Sequence, residues 1–181
     1  MKRHPQRPAA AKDRRLYRLK VFLLTGPITE EFAKRNPQVS RTIEIRGDQT
    51  LEDLHEVIFQ AYDRWDEHLY EFQFGKAPHD PRGARYSAPQ AMDSSLFGGH
   101  PAGDASRTSI GSLGLTRGRA FGYWFDFGDD WWHRIEVESI SEEVPKGRYP
   151  RIVERVGESP PQYPDPEEDE EDDAEESDEE V

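Results

Sequence analysis

Alternation of apolar and polar positions marks two strands near the start of the chain. In residues 16–24, the apolar side chains fall on one face and the basic Arg18 and Lys20 on the other. Residues 41–46 alternate in the same way, with Ile43 and Ile45 against polar neighbours. Period-two alternation rich in β-branched and aromatic residues is typical of half-buried strands. The residues between them, 25–38, contain two prolines and a glycine and predict a connection.

A helix is predicted directly after the second strand. Thr50 followed by Asp53 resembles a capping box with aspartate in place of the usual glutamate. The apolar positions that follow have helical spacing and predict one buried stripe: Leu51, Leu54, Val57, Ile58, Ala61, Tyr62 and Trp65. This pattern predicts a single principal helix.

Three further strands are predicted after the helix. Residues 69–74, 121–127 and 132–140 alternate between apolar and polar side chains, and residues 128–130 (Gly-Asp-Asp) predict a hairpin turn between the last two. Residues 76–107 lack periodicity and contain four prolines, which predicts a long irregular insertion. After residue 140, further prolines predict that the domain closes with irregular chain.

This element order predicts an α+β fold of one domain. A mainly antiparallel or mixed sheet of about five strands would pack on the principal helix, in the β-grasp-like order β-β-α-β-β-β. We assign the domain to residues 15–156. Residues 1–14 are predicted to be a basic, disordered N-terminal arm and residues 157–181 an acidic, disordered tail.

Composition supports these boundaries. Residues 1–20 carry eight lysines and arginines against one aspartate, and residues 165–181 carry thirteen acidic residues and no base. Dense like charge without apolar residues does not collapse into a core. The sequence has no cysteine, which excludes disulfides, thiolate catalysis and zinc sites built on sulfur. No apolar stretch is long enough for a bilayer and no secretory leader is recognisable, so we predict a cytoplasmic protein with no membrane partner.

Four separated motifs carry a resemblance to a known family. They are YWFDFGDDWWH at 123–133 (continuing into IEVE), LEDLH at 51–55, HLYEF at 68–72 and YPR at 149–151. In this order they resemble the plasmid pRiA4b ORF-3-like family. The resemblance implies a small α+β domain associated with plasmids or mobile elements, and it implies no particular activity. Where many members end in a Cys-Pro-Pro-Glu-Asp-Gly-Gly-like stretch, residues 159–163 read Ser-Pro-Pro-Gln-Tyr.

The hairpin region also supplies candidate polar chemistry. Asp126, Asp129 and His133 lie within eight residues, and His68 is expected on a neighbouring strand. Such groups are able to bind a divalent metal or to form a carboxylate–imidazole pair for proton transfer. The alternative is structural, with the aspartates building the turn and His133 half-buried in the core. We predict no obligatory cofactor, and the sequence names no catalytic residue.

The same run contains a dense group of tryptophans. Trp124, Trp131 and Trp132 are candidates for an interaction surface, because alternation directs part of them outward, and exposed tryptophan marks recognition sites. Core packing is the expected use of these side chains, with a protein-binding surface as the alternative. No HExxH, P-loop or GxSxG signature is present.

Three functional hypotheses follow from the sequence. The first is a non-enzymatic domain that binds a protein partner. The second is a metal- or ligand-binding domain or hydrolase-like enzyme centred on Asp126, Asp129 and His133. The third is a nucleic-acid accessory protein that uses its basic residues 1–15.

Overall fold

The computed structural model describes residues 12–91 and 103–164. Within those ranges the chain forms eight strands and two α-helices. The strands are β1 (Leu16–Thr25), β2 (Ser40–Arg46), β3 (Tyr70–Gln73), β4 (Arg85–Ser87), β5 (Gly103–Asp104), β6 (Ala120–Phe125), β7 (Trp131–Ser141) and β8 (Arg151–Val156). The helices are α1 (Glu30–Arg35) and α2 (Leu51–Ala61). Short 3-10 turns lie at Pro89–Ala91, Ala105–Arg107 and Ile110–Leu113.

All of these strands belong to one sheet in the order β5-β4-β3-β6-β7-β1-β2-β8. Neighbours are antiparallel except β4 and β5, which are parallel. The predicted α+β single domain is confirmed at this level. The predicted count of five strands and one helix is wrong in detail, because the described residues add three short or peripheral strands and a second helix.

The core lies between α2 and one face of the sheet. The predicted capping box is confirmed: the Thr50 hydroxyl accepts from the Asp53 amide at 3.1 Å, and the Asp53 carboxylate accepts from the Thr50 amide at 2.7 Å. Buried residues of α2 meet inward residues of the central strands, among them Tyr17, Ile43, Phe72, Phe121 and Ile135. Each large apolar side chain buried there contributes about 1.5–3 kcal/mol relative to exposure.

Two elements were missed because they bury few side chains. Helix α1 lies inside the predicted connection 25–38 and buries only Phe32, so it shows no apolar stripe. Strand β8 lies at the edge of the sheet against β2, and four of its six residues are exposed. Neither element has the periodicity on which prediction depends.

The predicted insertion 76–107 is partly regular. Its described part contains β4 and β5, whereas residues 92–102 lie outside the described residues. Just after β3, the loop of residues 76–83 folds over the sheet face opposite α2. The Pro78 carbonyl covers Gly122, and the His79 ring packs on Trp132 with centroids 4.0 Å apart.

Gly122→Ala tests this close approach of loop and sheet. A methyl group at residue 122 would overlap the Pro78 carbonyl, so we expect unfolding free energy to fall by about 1–3 kcal/mol. Gly128→Ala on the same hairpin is the matched control, because its methyl group would meet only Asp126 Oδ1, at 3.4 Å. Denaturant unfolding of both variants measures the difference, and equal midpoints would contradict the close approach.

Residues 157–164 form a packed segment, which we call the C-terminal strap. We predicted disorder from residue 157, but this segment crosses the end of α2 and buries Gln162. Arg41 fastens it: the guanidinium donates to the carbonyls of Val156 and Gly157 at 2.9 and 3.2 Å and to the Ser159 hydroxyl at 2.9 Å. The rest of the predicted acidic tail, residues 165–181, lies outside the described residues.

Two other predictions concern the chain ends and membranes. Residues 1–11 of the predicted basic arm lie outside the described residues. Where the description begins, Asp13 pairs with Arg15 at 2.9 Å and accepts from the Tyr17 hydroxyl at 2.7 Å. No helix in the described part of the chain is long and apolar enough to cross a membrane.

Candidate functional site

A polar cleft of about 410 Å³ opens between α2 and β3. This volume lies within the range of roughly 300–1,000 Å³ that is usual for small-ligand pockets. Residues from three separate stretches of chain line it: Glu52, His55, Glu56, Glu67, His68, Leu69, Tyr70, Ala88 and Gln90. The tertiary fold therefore forms the cleft: α2, the start of β3 with the loop before it, and the residues after β4 each line part of it.

The buried wall of the cleft is formed by His55 and Tyr70. Their rings stack with centroids 3.7 Å apart and planes 10° apart. His55 Nδ1 shares a hydrogen bond of 2.7 Å with the Tyr123 hydroxyl, and burial lowers the pKa of His55 to about 3. His55 is therefore neutral at physiological pH. The Tyr70 hydroxyl is buried and has no hydrogen-bond partner among the described residues.

Carboxylates form the outer wall of the cleft. Glu52 and Glu56 project from successive turns of α2, and Glu67 lies on the loop before β3. None of the three takes part in an ion pair within residues 12–91 and 103–164. Burial, together with the neighbouring acids, raises the pKa of Glu56. Burial raises the pKa of Tyr70, and the charges of Glu52, Asp104, Glu56 and Glu67 raise it further. The cleft therefore carries uncompensated negative charge.

His68 closes one end of the cleft and connects it to the β6–β7 hairpin. Its Nε2 lies 2.8 Å from the Tyr163 hydroxyl oxygen and 3.4 Å from Oδ2 of both Asp66 and Asp126. Because the Tyr163 hydroxyl donates to Asp66 at 2.6 Å, its oxygen accepts from His68. The predicted neighbourhood of His68 and Asp126 is confirmed.

The other predicted polar residues serve the hairpin itself. Asp126 adopts a positive φ of 56°, and its Oδ1 accepts from the amides of Gly128 and Asp129 at 3.0 and 3.3 Å. His133 is fully buried. Its Nε2 lies 3.0 Å from Arg64 Nη2, and because a guanidinium only donates, Nε2 is the acceptor and Nδ1 faces the Tyr123 carbonyl.

The predicted metal ligands Asp126, Asp129 and His133 are therefore not brought together. His133 uses both ring nitrogens inside the core, and Asp126 builds the turn. Across the described ranges, no group of three or more histidines and acids is close enough to hold a metal ion.

Arg64 anchors the hairpin to the end of α2. Its guanidinium carbon lies 4.6 Å from the ring centroid of Phe125 and 4.9 Å from that of Trp131. Burial lowers the pKa of Arg64 to about 10, and its Nη1 has no partner among the described residues. These contacts show that the buried side of the hairpin has a structural role.

The predicted tryptophan surface divides between the two faces of the sheet. Trp131 is fully buried, so its prediction as a surface residue is wrong: the strand register turns it toward Arg64. Trp124 and Trp132 lie on the opposite face, partly buried, and stack with centroids 4.8 Å apart and planes 5° apart. The Trp124 indole donates to Asp130 Oδ1 at 2.9 Å.

Trp65 is the surface aromatic that the sequence did not reveal. We predicted it in the buried stripe of the helix, but α2 ends at Ala61 and the positive φ of Asp63 turns the chain outward. Trp65 is 71% exposed. In the sequence, Trp65 is flanked by the charged residues Asp63, Arg64 and Asp66. These charges are the signal that could have shown that the apolar stripe of the helix ends before Trp65.

The strap holds Trp65 in a defined position. The amides of Trp65 and Asp66 both donate to Gln162 Oε1 at 3.0 Å, and Gln162 Nε2 donates back to the Asp66 carbonyl at 2.7 Å. The Tyr163 ring packs edge-on against Trp65, with centroids 5.5 Å apart. We call Trp65 and Tyr163 the exposed aromatic pair. The pair lies beside the cleft, because Tyr163 contacts His68 at the cleft's end.

Comparison with known proteins shows which family this architecture represents. The family model described as plasmid pRiA4b ORF-3-like protein matches residues 28–165. The chain belongs to this family. The matched range includes the hairpin, α2, the cleft and the strap. The family has no established function.

One curated relative and one solved structure are similar to this chain. The uncharacterised protein y4hQ of Sinorhizobium fredii is 31% identical over 127 residues, which cover 70% of this chain and 59% of that protein. The chain thus spans about 59% of the length of this relative. The crystal structure of MM3350, a protein of unknown function from Methanosarcina mazei Go1, matches with a TM-score of 0.59 and 24% identity, over 78% of this chain and 70% of the other. This second likeness supports the fold alone.

Proposed function

We propose that this plasmid pRiA4b ORF-3-like domain is a non-enzymatic interaction module that binds a protein partner. One observation carries the proposal: Trp65 is 71% exposed, yet its backbone is fixed by Gln162. A large aromatic side chain that is ordered before binding loses little conformational freedom when it is covered. Tryptophan is also among the residues that dominate binding energy at protein interfaces.

The charge around the exposed aromatic pair specifies the partner. Asp66 and Glu67 follow Trp65 directly, and the carboxylates of the cleft lie beyond them. A partner segment with an apolar anchor and adjacent basic residues would complement this surface, because opposite potentials raise the rate of encounter and fix the register of docking. Two further predictions rest on the sequence alone. They are an association with mobile elements and the binding of nucleic acid by residues 1–15.

Trp65→Ala tests the proposal. The full chain is first used to select binding peptides from a random display library. We expect the selected peptides to contain an aromatic or apolar anchor residue next to lysine or arginine. Loss of the indole should weaken their binding by about 10- to 100-fold, the range for a central interface tryptophan. Fluorescence anisotropy with labelled peptides measures the dissociation constants, and thermal unfolding shows that the variant is folded.

Leu24→Ala is the matched control. Leu24 is another exposed large apolar residue, 42% accessible at the end of β1, so its loss should leave the dissociation constants unchanged. Selected peptides that bind Trp65→Ala as tightly as the wild type would overturn the proposal. Concentration-dependent sedimentation abolished by Trp65→Ala would instead identify a second copy of the chain as the partner.

A further inference from the structure

The cleft between α2 and β3 combines three properties that point to one chemical class of ligand. It is concave, it carries carboxylates without cationic partners, and its buried wall presents a polar atom that nothing in the described chain satisfies. We propose that this cleft binds an organic cation, a primary ammonium or guanidinium group on a short alkyl chain. The inference deepens the proposed function, since lysine and arginine side chains have this chemistry, but its test needs no protein partner.

The carboxylates determine the sign of the ligand's charge. Glu52 and Glu56 lie one turn apart on α2, and Glu67 faces them from the loop before β3. Because His55 in the buried wall is neutral, it does not offset their charge. Bringing a cation into this cleft relieves repulsion among the three acids, whereas an anion would be repelled.

The Tyr70 hydroxyl supplies the second, independent observation. Tyr70 is 4% exposed and lines the cleft, yet its hydroxyl oxygen has no hydrogen-bond partner in residues 12–91 and 103–164. A buried polar group without a partner destabilises the fold, because nothing offsets the loss of its hydration. A ligand N–H group that reached this oxygen would supply the missing partner.

The apolar part of the lining fits the alkyl chain. Leu69 and Ala88 lie beside the stacked rings of His55 and Tyr70. Methylene groups pack against such a wall while the charged head reaches the carboxylates, as lysine and arginine stems do on protein surfaces. The absence of a closely spaced ligand set in the described residues disfavours a bare divalent ion in the same cleft.

Titration of the full chain with small probes tests the inference. The probes are N-acetyl-lysine methylamide, N-acetyl-arginine methylamide and 1,4-diaminobutane, each followed by calorimetry and by shifts of the His55 and Tyr70 ring signals in NMR spectra. At least one probe should bind with a dissociation constant at or below the millimolar range. Preference for the amino-acid probes would identify a polypeptide side chain as the source, and preference for the diamine a free polyamine.

Two pairs of variants distinguish the cleft from general attraction to an acidic protein. Glu56→Gln and Glu143→Gln each remove one negative charge, but Glu143 is exposed and distant in sequence from every cleft residue. We expect Glu56→Gln to weaken binding at least fivefold and Glu143→Gln to leave it within twofold. Tyr70→Phe keeps the ring and should weaken binding about three- to tenfold, whereas Tyr86→Phe, at a partly buried tyrosine outside the cleft lining, should not.

The outcomes separate this inference from the proposed function. The cation site would be overturned if Glu56→Gln and Glu143→Gln weakened probe binding equally. It would also be overturned if no probe bound at about 20 mM. Peptide binding that depends on Trp65 would then still support the interaction module. Probe binding that depends on Glu56 and Tyr70, without any Trp65-dependent peptide, would support the cation site and overturn the interaction module.

Discussion

Arg41→Ala is expected to lower the free energy of unfolding by about 3–5 kcal/mol, the usual cost of leaving buried partners of a charged group unpaired. Arg41 is 1% exposed, and its Nε donates to the Ala61 carbonyl at the end of α2 at 2.7 Å. Its other nitrogens hold the strap through two carbonyls and the Ser159 hydroxyl. One substitution therefore removes one of the two donors to the Ala61 carbonyl, together with the hydrogen bonds to Val156, Gly157 and Ser159 at the start of the strap. Urea unfolding with a two-state fit measures the change.

Arg155→Ala is the matched control for this variant. Arg155 also donates to the Ala61 carbonyl, at 2.6 Å, and it pairs with Asp63 at 3.1 Å, but it is exposed to solvent. Exposed ion pairs contribute about 1 kcal/mol or less. If Arg155→Ala destabilised the protein as much as Arg41→Ala does, burial of the Arg41 guanidinium would not be the source of the effect.

Acidification from pH 6 to pH 4 is expected to destabilise the protein by about 5 kcal/mol. His55 and His133 are both buried, and burial, with the nearby Arg64 guanidinium, lowers the pKa of each, for His55 to about 3. In the unfolded chain both rings bind protons below their ordinary pKa of about 6.5. The unfolded state therefore gains protons that the folded state cannot, and each histidine costs about 1.4 kcal/mol per pH unit.

The sign and the window of this effect are specific to the histidines. A lowered histidine pKa gives stability that is present above about pH 6.5 and is lost as pH falls. The aspartates with lowered pKa, Asp13, Asp66 and Asp80, lose their contribution only at lower pH, because their ordinary pKa is 3.8. His55→Gln should therefore reduce the slope between pH 6 and pH 4 by about half. Urea unfolding at intervals of 0.5 pH unit measures it, and an unchanged slope would contradict the assignment to His55.

The sequence predicts those strands and helices that bury one face in the core and expose the other face to water. β1 and α2 meet this condition, and their patterns locate β1 and the start of α2 within one residue, although α2 ends at Ala61, four residues before Trp65. β2 alternates in sequence even though both of its faces are buried. The capping box at Thr50 and Asp53 is a local interaction, so its prediction did not depend on tertiary structure. By contrast, α1 and β8 bury little, and nothing in their periodicity distinguishes them from connections.

The candidate site was less accessible to prediction because it is assembled from distant segments. Residues 52–56, 67–70 and 88–90 meet only after β3 joins the sheet beside β6. The hairpin motif at 123–133 identified the family, yet its acids and His133 turned out to hold the hairpin together. Trp65 is exposed because Asp63, a non-glycine residue with positive φ, follows the end of α2 and turns the chain outward. Trp131 is buried because its register in β7 turns it toward Arg64.

The contrast between Trp65 and Trp131 gives the protein an optical signal of its own. An indole in contact with water emits at longer wavelength than one sealed in a core, and a dissolved quencher such as acrylamide reaches only the first. In the folded protein, Trp65 is 71% exposed, Trp124 and Trp132 are partly buried and Trp131 is fully buried, so Trp65 is the tryptophan most accessible to a quencher. A molecule that binds this loop would protect Trp65 from the quencher. Binding would therefore be measured by the protein's own fluorescence, without an attached label.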